Sequence, residues 1–570
     1  MGGDVVVGDA SDATGDGSSC TTECTPRPVS PWNGANISNL HPTLRWRNAA
    51  GRMGSQLVLC GTHDCANPVT MDMTGDSGDP SANAMCQGSC TPSSPCCSGA
   101  LVAGRTFFWR VQSVDGATIN QSALWTFRVQ IPTTRMAGTQ AAWGGNFDFN
   151  GDGVSDLAVG LPGGADSASA MARAQVWQFN AGGRMWMRVA LYPMGGATGD
   201  GSMVSVGGDI DGDGATELLL LAPQENMDSG TVRIFQGGTP FATEPSATLR
   251  PAAVGMVRFG ASGTGVGDVD RDGYGDVLVG APGSGNAYLY RGGPNGIDDT
   301  MPTVQTFSAA GGFGRFGAAV AAPGDVNGDG FADFLISAPG MEAACPGRSA
   351  HVLLYHGSAG MIGPPVELPP PGGPLPDCTF GAVVAGLGDV NGDGLPDYGV
   401  ASPVANRVYV YFGALGAGAP GPAVVISDIP VTMPARFGFA LTGGDIDHDG
   451  FSDVIVGAPG EGMVQGAIHL YRGSAAFTMT APMAVVLNVP PNVAMGMPTR
   501  FGACVSAYAD LDADGLTDWV AAAPDRDFIG NVPGNANFMM TAQPAQSSIF
   551  VLSPTPPLGR GFGASCASGF

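Results

Sequence analysis

One nine-residue pattern returns seven times, and it constrains this chain more than any other feature. In the third copy, residues 268–276 read DVDRDGYGD, with acids at Asp268, Asp270 and Asp272, a glycine at 273 and a fourth acid at Asp276. The other copies begin at Asp148 (DFNGDGVSD), Asp209 (DIDGDGATE), Asp325 (DVNGDGFAD), Asp389 (DVNGDGLPD), Asp445 (DIDHDGFSD) and Asp510 (DLDADGLTD). Position 1 is always Asp, position 3 Asp or Asn, position 5 Asp, position 6 Gly and position 9 Asp or Glu. Position 2 is always apolar (Phe149, Ile210, Val269, Val326, Val390, Ile446, Leu511), so one side of each loop is pinned to a core. First residues lie 61, 59, 57, 64, 56 and 65 positions apart. A period near sixty with one supersecondary unit per period marks a repeat architecture.

Alternate acids turned by a glycine gather several oxygens around one point, which is what a hard cation such as Ca²⁺ requires. The side chains expected to supply oxygens are Asp148, Asn150, Asp152 and Asp156; Asp209, Asp211, Asp213 and Glu217; Asp268, Asp270, Asp272 and Asp276; Asp325, Asn327, Asp329 and Asp333. The later loops offer Asp389, Asn391, Asp393 and Asp397; Asp445, Asp447, Asp449 and Asp453; Asp510, Asp512, Asp514 and Asp518. By analogy with the EF-hand order, position 7 adds a backbone carbonyl, here from Val154, Ala215, Tyr274, Phe331, Leu395, Phe451 and Leu516. Acidic turns without metal are the alternative, and seven copies of one grammar speak against it. Mg²⁺ is less suitable, because it resists an all-protein cage. Up to seven Ca²⁺ ions are expected.

The loops hold 25 of the 49 Asp and Glu residues, so most of the net charge of −25 is site chemistry. Seven divalent cations would leave −11. All 24 basic residues are Arg, with no basic stripe, which disfavours nucleic acid as a partner. Glycine (91) and proline (45) are abundant, yet apolar runs return regularly, as expected of many short strands joined by turns. No apolar run approaches the roughly 18 residues of a membrane span. No signal peptide is visible at residues 1–17. Twelve cysteines, eight of them before residue 100, nevertheless point to an oxidising compartment, with an export signal outside this sequence.

Residues 1–26 are small, acidic and polar and read as a flexible linker; a lipid-anchored Cys20 is the weaker reading. Residues 27–131 carry short alternating runs at 44–46, 56–59, 106–111 and 124–129, consistent with a small β-sandwich whose core includes Trp46, Trp109 and Trp125. The stretches LVAGRTFFWRV (101–111) and SALWTFRV (122–129) resemble fibronectin type III-like modules. Between them lie Cys60, Cys65, Cys86, Cys90, Cys96 and Cys97. CGTHDC with His63 has a zinc-like spacing, but disulfides are the better reading, in one of fifteen connectivities.

Residues 132–570 hold the repeats. In the third, a small-residue strand (257–267) leads into the acidic loop; 276–282, 286–291 and 303–308 read as three more strands. Four short strands per unit, repeated radially, make a β-propeller blade. Phe-Gly opens the first strand at Phe259, Phe316, Phe380, Phe437 and Phe501, and a Gly-Ala-Pro position ends the second, as at Ala281-Pro282 and Ala458-Pro459. Together with the acidic loops these signatures resemble the FG-GAP repeats of integrin α-subunit propellers and their bacterial relatives, over about 430 residues. The resemblance implies an all-β chain: a seven-bladed propeller with calcium between the first and second strands of each blade, preceded by the sandwich. The first two repeats lack Phe-Gly, which puts their first strands in doubt.

The six histidines form no catalytic constellation, GxSxG and HExxH are absent, and the arginines are scattered along the chain. The expected function is therefore a secreted or cell-surface, calcium-binding interaction or adhesion protein that binds an extracellular protein or glycan. The alternatives are a propeller enzyme acting on polysaccharide and a structural spacer. The partner face is expected opposite the acidic loops, where connections vary, above all at 524–547 and 341–348. Cys345 and Cys378 are expected to form a disulfide there; Cys504 and Cys566 are left open. Phe562-Gly563 opens what reads as another first strand, either the start of an eighth repeat past residue 570 or a strand that closes the ring.

Overall fold

The computed structural model describes residues 203–251, 255–297, 314–340, 350–370, 379–416, 435–446, 451–464 and 466–477, and elsewhere chiefly the strands named below. The chain is all-β; the helical turns Glu225–Asp228 and Glu461–Val464 are the exceptions among the described residues. In the N-terminal part, Arg27–Ser30, Leu44–Arg47 and Ser77–Gly78 form a small sheet. A larger one runs Ala142–Trp143, Ala35–Ile37, Trp125–Val129, Thr106–Asp115, Gly54–Cys60, Val69–Thr74. The two share a core of Leu44, Trp46, Leu57, Leu59, Phe107, Trp109, Trp125 and Phe127. Trp109 meets Trp125 edge-on at 6.1 Å between ring centroids, an arrangement that aromatic quadrupoles favour. Cys60 and Cys65 are joined by a disulfide, so CGTHDC is closed covalently.

Beyond residue 156 the described strands form seven antiparallel sheets of four strands each. The third shows the plan: Ser262–Gly267, Asp276–Ala281, Asn286–Tyr290 and Gln305–Ser308, in chain order from first to fourth strand. Second strands such as Asp276–Ala281, Asp333–Ala338 and Asp453–Ala458 are buried along their whole length. That is why they read as unbroken apolar runs rather than alternating ones: both faces are covered.

What covers them is the neighbouring sheet. Leu219, Leu221, Val232 and Ile234 of the second sheet share one core with Val277, Val279 and Tyr290 of the third, and the same holds at later junctions. First strands Met203–Gly208, Ser262–Gly267, Val320–Gly324, Val383–Gly388, Ala440–Gly444 and Cys504–Ala509 lie beside one another in that order. Residues from all six line a common channel of about 310 Å³.

The Phe-Gly signature has a backbone cause. In the third sheet, Ala261 N–H donates to the Arg258 carbonyl (3.1 Å), which makes 258–261 a β-turn with Phe259 and Gly260 at its centre. Gly260 sits at φ +81°, as the third position of a type II turn requires. Its N–H donates to the Gly280 carbonyl at the end of the second strand, so Phe-Gly and Gly-Ala-Pro are hydrogen-bonded partners. Phe259 is buried against Tyr288 and Tyr290. The same turn bond recurs from Ala318 to Arg315, Ala382 to Thr379, Phe439 to Arg436 and Ala503 to Arg500.

Two expectations change. The first strand of the first sheet does not come from the segment ahead of its loop, because Ala142–Trp143 pairs with Ala35–Ile37. Instead Ser565–Cys566, just after Phe562-Gly563, pairs with the second strand Leu157–Leu161 and lies beside Cys504–Ala509 and Met203–Gly208. The long connection expected at 524–547 contains a strand, Asn535–Thr541, paired with Asp518–Ala523 and Ser547–Leu552. Its four-stranded sheet needs this third strand, and turn residues such as Asn535 and Asn537 hide it in the sequence. Cys345 and Cys378 lie outside the described residues; Cys504 is disulfide-bonded.

Gly260→Ala should destabilise the fold by about 2–3 kcal/mol, because a Cβ there would stand 2.8 Å from Val232 Cγ2 as well as carry the φ penalty. Gly296→Ala, at φ +76° with open space around it, should cost about 1 kcal/mol. Denaturant unfolding of both variants checks the difference; equal losses would remove the packing role of the turn.

Candidate metal centres

From the second copy on, each acidic loop links a first strand to a second one and its position 9 acid opens the second strand; in the first copy Asp156 stands just ahead of Leu157–Leu161. The loops at 209–217, 268–276, 325–333 and 389–397 lie wholly among the described residues. Of the others, Asp148, Asn150 and Asp156, and Asp445, Phe451 and Asp453, are described. Asp152, Val154, Asp447, Asp449, Asp510, Asp512, Asp514 and Leu516 lie outside, and Asp518 is described in its backbone only.

In the third loop the chain folds so that its own amides aim the carboxylates. Asp268 accepts from the N–H groups of Asp272 (3.0 Å) and Gly273 (2.8 Å); Asp270 accepts from Asp272 and Asp272 from Tyr274. Asp325 and Asp389 make the same contacts, and Asn327 and Asn391 use their amide oxygens where the third loop has Asp270. Position 6 needs left-handed backbone, at φ +87° to +92° in Gly214, Gly273, Gly330 and Gly394. Position 4, which looks freely variable in sequence, needs it too: Gly151, Gly212, Gly328 and Gly392 supply it, and Arg271 adopts φ +60°.

Position 9 has a second duty. One oxygen of Asp276 accepts from Val269 N–H at position 2 (2.9 Å) and the other from Gly292 N–H just past the third strand (2.9 Å). Glu217, Asp333, Asp397 and Asp453 each repeat this pair of bonds. The loops are also linked to one another. The position 1 carbonyls of Asp148, Asp209, Asp268 and Asp389 accept from Thr216, Gly275, Ala332 and Ser452 in the next loop. The equivalent donor to Asp325 would be Pro396, which has no N–H. Position 2 carbonyls of Phe149, Ile210, Val269, Val326 and Val390 accept from Gly238, Gly293, Ser358, Ala414 and Ser474 of the following sheet.

Oxygens of Asp209, Asp211 and Glu217 lie within 4.8 Å of one another, as do those of Asp268, Asp270 and Asp276. Asp209 Oδ1 is buried and has no hydrogen-bond partner among the described residues. An orphaned buried carboxylate oxygen inside a set of hard oxygen donors fits a divalent cation. The electrostatics agree. Burial first, then repulsion from the neighbouring acids, pushes Asp268 and Glu217 well above the usual carboxylate range. Burial pushes Asp276 to about 8 against the pull of Arg291, and Asp325 and Asp389 to about 7.

One set of residues was missed in the sequence. In the second, third and fourth sheets the side chain that follows the third strand reaches back over the loop: Gln236 Nε2 donates to Asp211, and Arg291 Nη1 stands 3.3 Å from Asp270 and 3.2 Å from Asp276. His356 Nδ1 lies 3.3 Å from Asp333 and 3.1 Å from Asn327 Nδ2. The signal was present as a recurring aromatic-x-Gly (Phe235-Gln236-Gly237, Tyr290-Arg291-Gly292, Tyr355-His356-Gly357, Tyr411-Phe412-Gly413). Its meaning needed the turn that brings it over the acids.

Two outcomes follow from these charges. With chelator present, the folded chain holds protons on acids that the unfolded chain releases near pH 4. Stability should therefore be highest at the acid end and fall as pH rises from about 4 to about 8. A saturating divalent cation should reverse that slope, because it binds the ionised acids; thermal unfolding at several pH values reads both, and parallel slopes would refute the scheme. Arg291→Gln should tighten cation binding in the third loop by about tenfold, by removing a positive charge close to the site. Terbium luminescence sensitised by Tyr274, whose ring also lies against Gly212 of the second loop, reads both loops, with Tyr274→Phe as the blank and Asp211→Asn to weaken the second site.

With this geometry in view, comparisons with known proteins identify the repeat. Residues 437–471 match the FG-GAP repeat family and residues 268–336 an FG-GAP-like repeat. Integrin alpha-PS3 of Drosophila melanogaster is 35% identical over 160 residues, which is 26% of this chain and 14% of that protein. Integrin alpha-V of Gallus gallus is 29% identical over 296 residues, 48% of this chain and 26% of that protein. The chain thus aligns with a quarter or less, in round terms, of these relatives' own length. A Bacteroides fragilis structure provisionally named a 6-phosphogluconolactonase covers 72% of this chain and 97% of its own at 9% identity. Its TM-score is only 0.43, a likeness that bears on neither fold nor function here. The segments around the acidic loops at 268, 325 and 445 thus match FG-GAP repeats, and the chain is similar in part to the integrin alpha subunits.

Proposed function

We propose that this chain is an extracellular or cell-surface adhesion scaffold: a calcium-stabilised, seven-bladed FG-GAP propeller behind a fibronectin type III-like sandwich, binding a protein partner and catalysing no reaction. The observation that carries this reading is the asymmetry between the two ends of the sheets. At one end the acidic loops are nearly constant in length, tied to each other by backbone hydrogen bonds. At the other, the second-to-third-strand connections are short at 282–285 and 403–406, longer at 223–230 and 459–466, and longest at 339–350. A constant end suits a structural cation; variable connections on a rigid scaffold suit recognition. Similarity to integrin alpha subunits supports the same reading. Among the described residues, His351 and His469 are each paired with a glutamate, and His356 sits over an acidic loop. None stands beside a nucleophile in these contacts. No helix among the described residues is long and apolar enough to cross a membrane.

Excess chelator should lower the melting temperature and added Ca²⁺ should restore it. Each loop saturated at a hundredfold over its Kd contributes about 2.7 kcal/mol. An array of purified extracellular-matrix proteins, probed with the full chain with and without Ca²⁺, should show calcium-dependent capture. A melting curve indifferent to chelator would overturn the calcium reading, and an array without capture the scaffold reading.

A further inference from the structure

The arginines that look scattered along the sequence are gathered by the fold. Arg258, Arg315, Arg436 and Arg500 each occupy the residue immediately before a Phe-Gly turn. The fifth such position, in the intervening sheet, is Thr379. A sixth, ahead of Phe562-Gly563, is Gly561; Arg makes up 24 of 570 residues, so four in six at one structural position is not a matter of composition. All four are exposed. All four hold left-handed backbone, at φ +53°, +66°, +53° and +49°, a conformation that long side chains adopt at a cost.

Their placement follows from the turns. The residue three after each of these positions, Ala261, Ala318, Ala382, Phe439 or Ala503, lines the channel. The first and fourth Cα atoms of such a turn lie within about 7 Å of each other, a span that an arginine side chain can cover. The first strands follow one another along the channel, so the four arginine positions, each three residues ahead of a lining residue, stand at its mouth, at the end opposite the acidic loops. For Arg258, Arg315 and Arg436 there is no ion pair among the described residues; Arg436 stands 6.0 Å from the Phe439 ring. Two acids on the connections at this end are already engaged, Glu225 with Arg233 (2.6 Å) and Glu461 with His469 (2.7 Å). Asp228 remains beside Arg258, bonded through its carbonyl.

The mouth itself is apolar. Phe439 and Met203 are exposed there, at 38% and 37%, and Val204, Val320, Val384 and Leu441 follow inward. Thr264, also in the lining, has a buried hydroxyl with no hydrogen-bond partner among the described residues. Exposed Arg, Phe and Met around a pocket are the residue types that anchor protein interfaces. A sugar chain would leave most of its hydroxyls unpaired against these walls.

We propose that the arginine-flanked mouth binds an acidic, extended peptide segment of a partner protein, its carboxylates on Arg258, Arg315 and Arg436 and one apolar side chain inside the channel. This rests on the scaffold reading above and names the chemistry of the partner. Although the whole chain carries −25, recognition is governed by the local positive field at the mouth, which salt screens.

The test uses the full chain in Ca²⁺ and a fluorescein-labelled dodecapeptide of Asp and Glu with one central Leu, read by anisotropy. Comparators are its Asn/Gln analogue, its Leu→Ser analogue and polygalacturonate. The acidic peptide should bind at least tenfold tighter than the neutral one and weaken with salt. R258Q/R315Q/R436Q should lose at least tenfold at an unchanged melting temperature, while R258K/R315K/R436K retains binding. The Leu→Ser peptide and the F439S variant should each lose about threefold. The proposal is overturned if the acidic and neutral peptides bind alike, if the glutamine variant binds like the parent, if the lysine variant loses as much as the glutamine one, or if polygalacturonate binds more tightly than the peptide. Should the glutamine variant fold poorly, the lysine variant and the peptide series decide alone. Loss of the peptide result with intact capture on the matrix-protein array rejects this inference and leaves the scaffold reading standing.

Discussion

The belt of acidic loops is the constraint on which the rest depends. Each loop buries carboxylates close enough to repel one another, and each is bonded through its carbonyls to the loop or sheet that follows. Concentrating buried negative charge costs several kcal/mol per ion unless something neutralises it. Backbone amides do part of that work, two each for Asp268 and Asp276 and one each for Asp270 and Asp272, and aim the remaining lone pairs at a common point. What they leave is a cluster of carboxylate oxygens that fits a divalent cation. Any strain in one loop is passed to its neighbours through the Asp209–Gly275 and Ile210–Gly293 type of bond.

The hydrophobic core has the same serial character. No sheet buries its own apolar face: Leu278 and Phe307 of the third sheet pack with Phe334 and Ile336 of the fourth, and Tyr398 of the fifth with Leu335 of the fourth. Loosening one loop therefore loosens two inter-sheet cores. That coupling explains why position 9 is held by two amides from different segments: it clamps the loop to the end of the third strand, where the next core begins. The single loop in which Pro396 removes a link is the exception in an otherwise regular belt.

At the opposite end the backbone is set by the Phe-Gly turns, which fasten each first strand to the end of its second strand. This end is rigid where it lines the channel and free to differ in its connections. On the proposed reading, stability rests on the acidic loops and recognition on the far face. The arginine positions lie on that far face at the edge of an apolar opening, which joins charge to a pocket in one surface.

Much of this was legible in the sequence because the chemistry is local. Seven copies of a nine-residue grammar, Phe-Gly before it and Gly-Ala-Pro after it, determined the repeat, the all-β character and the strands around each loop. Asp276–Ala281 and Asn286–Tyr290 stand where the apolar runs put them. Only the tertiary structure decided what depends on residues far apart in the chain. Ser565–Cys566 pairs with Leu157–Leu161, about four hundred residues away, a register no local pattern encodes. Asn535–Thr541 is a strand because its sheet requires a third member. Gln236, Arg291 and His356 lie over the acids because a turn returns them there. Four arginines spread over 243 positions, from Arg258 to Arg500, come to the same end of the first strands because the sheets pack with those strands side by side, one sheet per sixty or so residues.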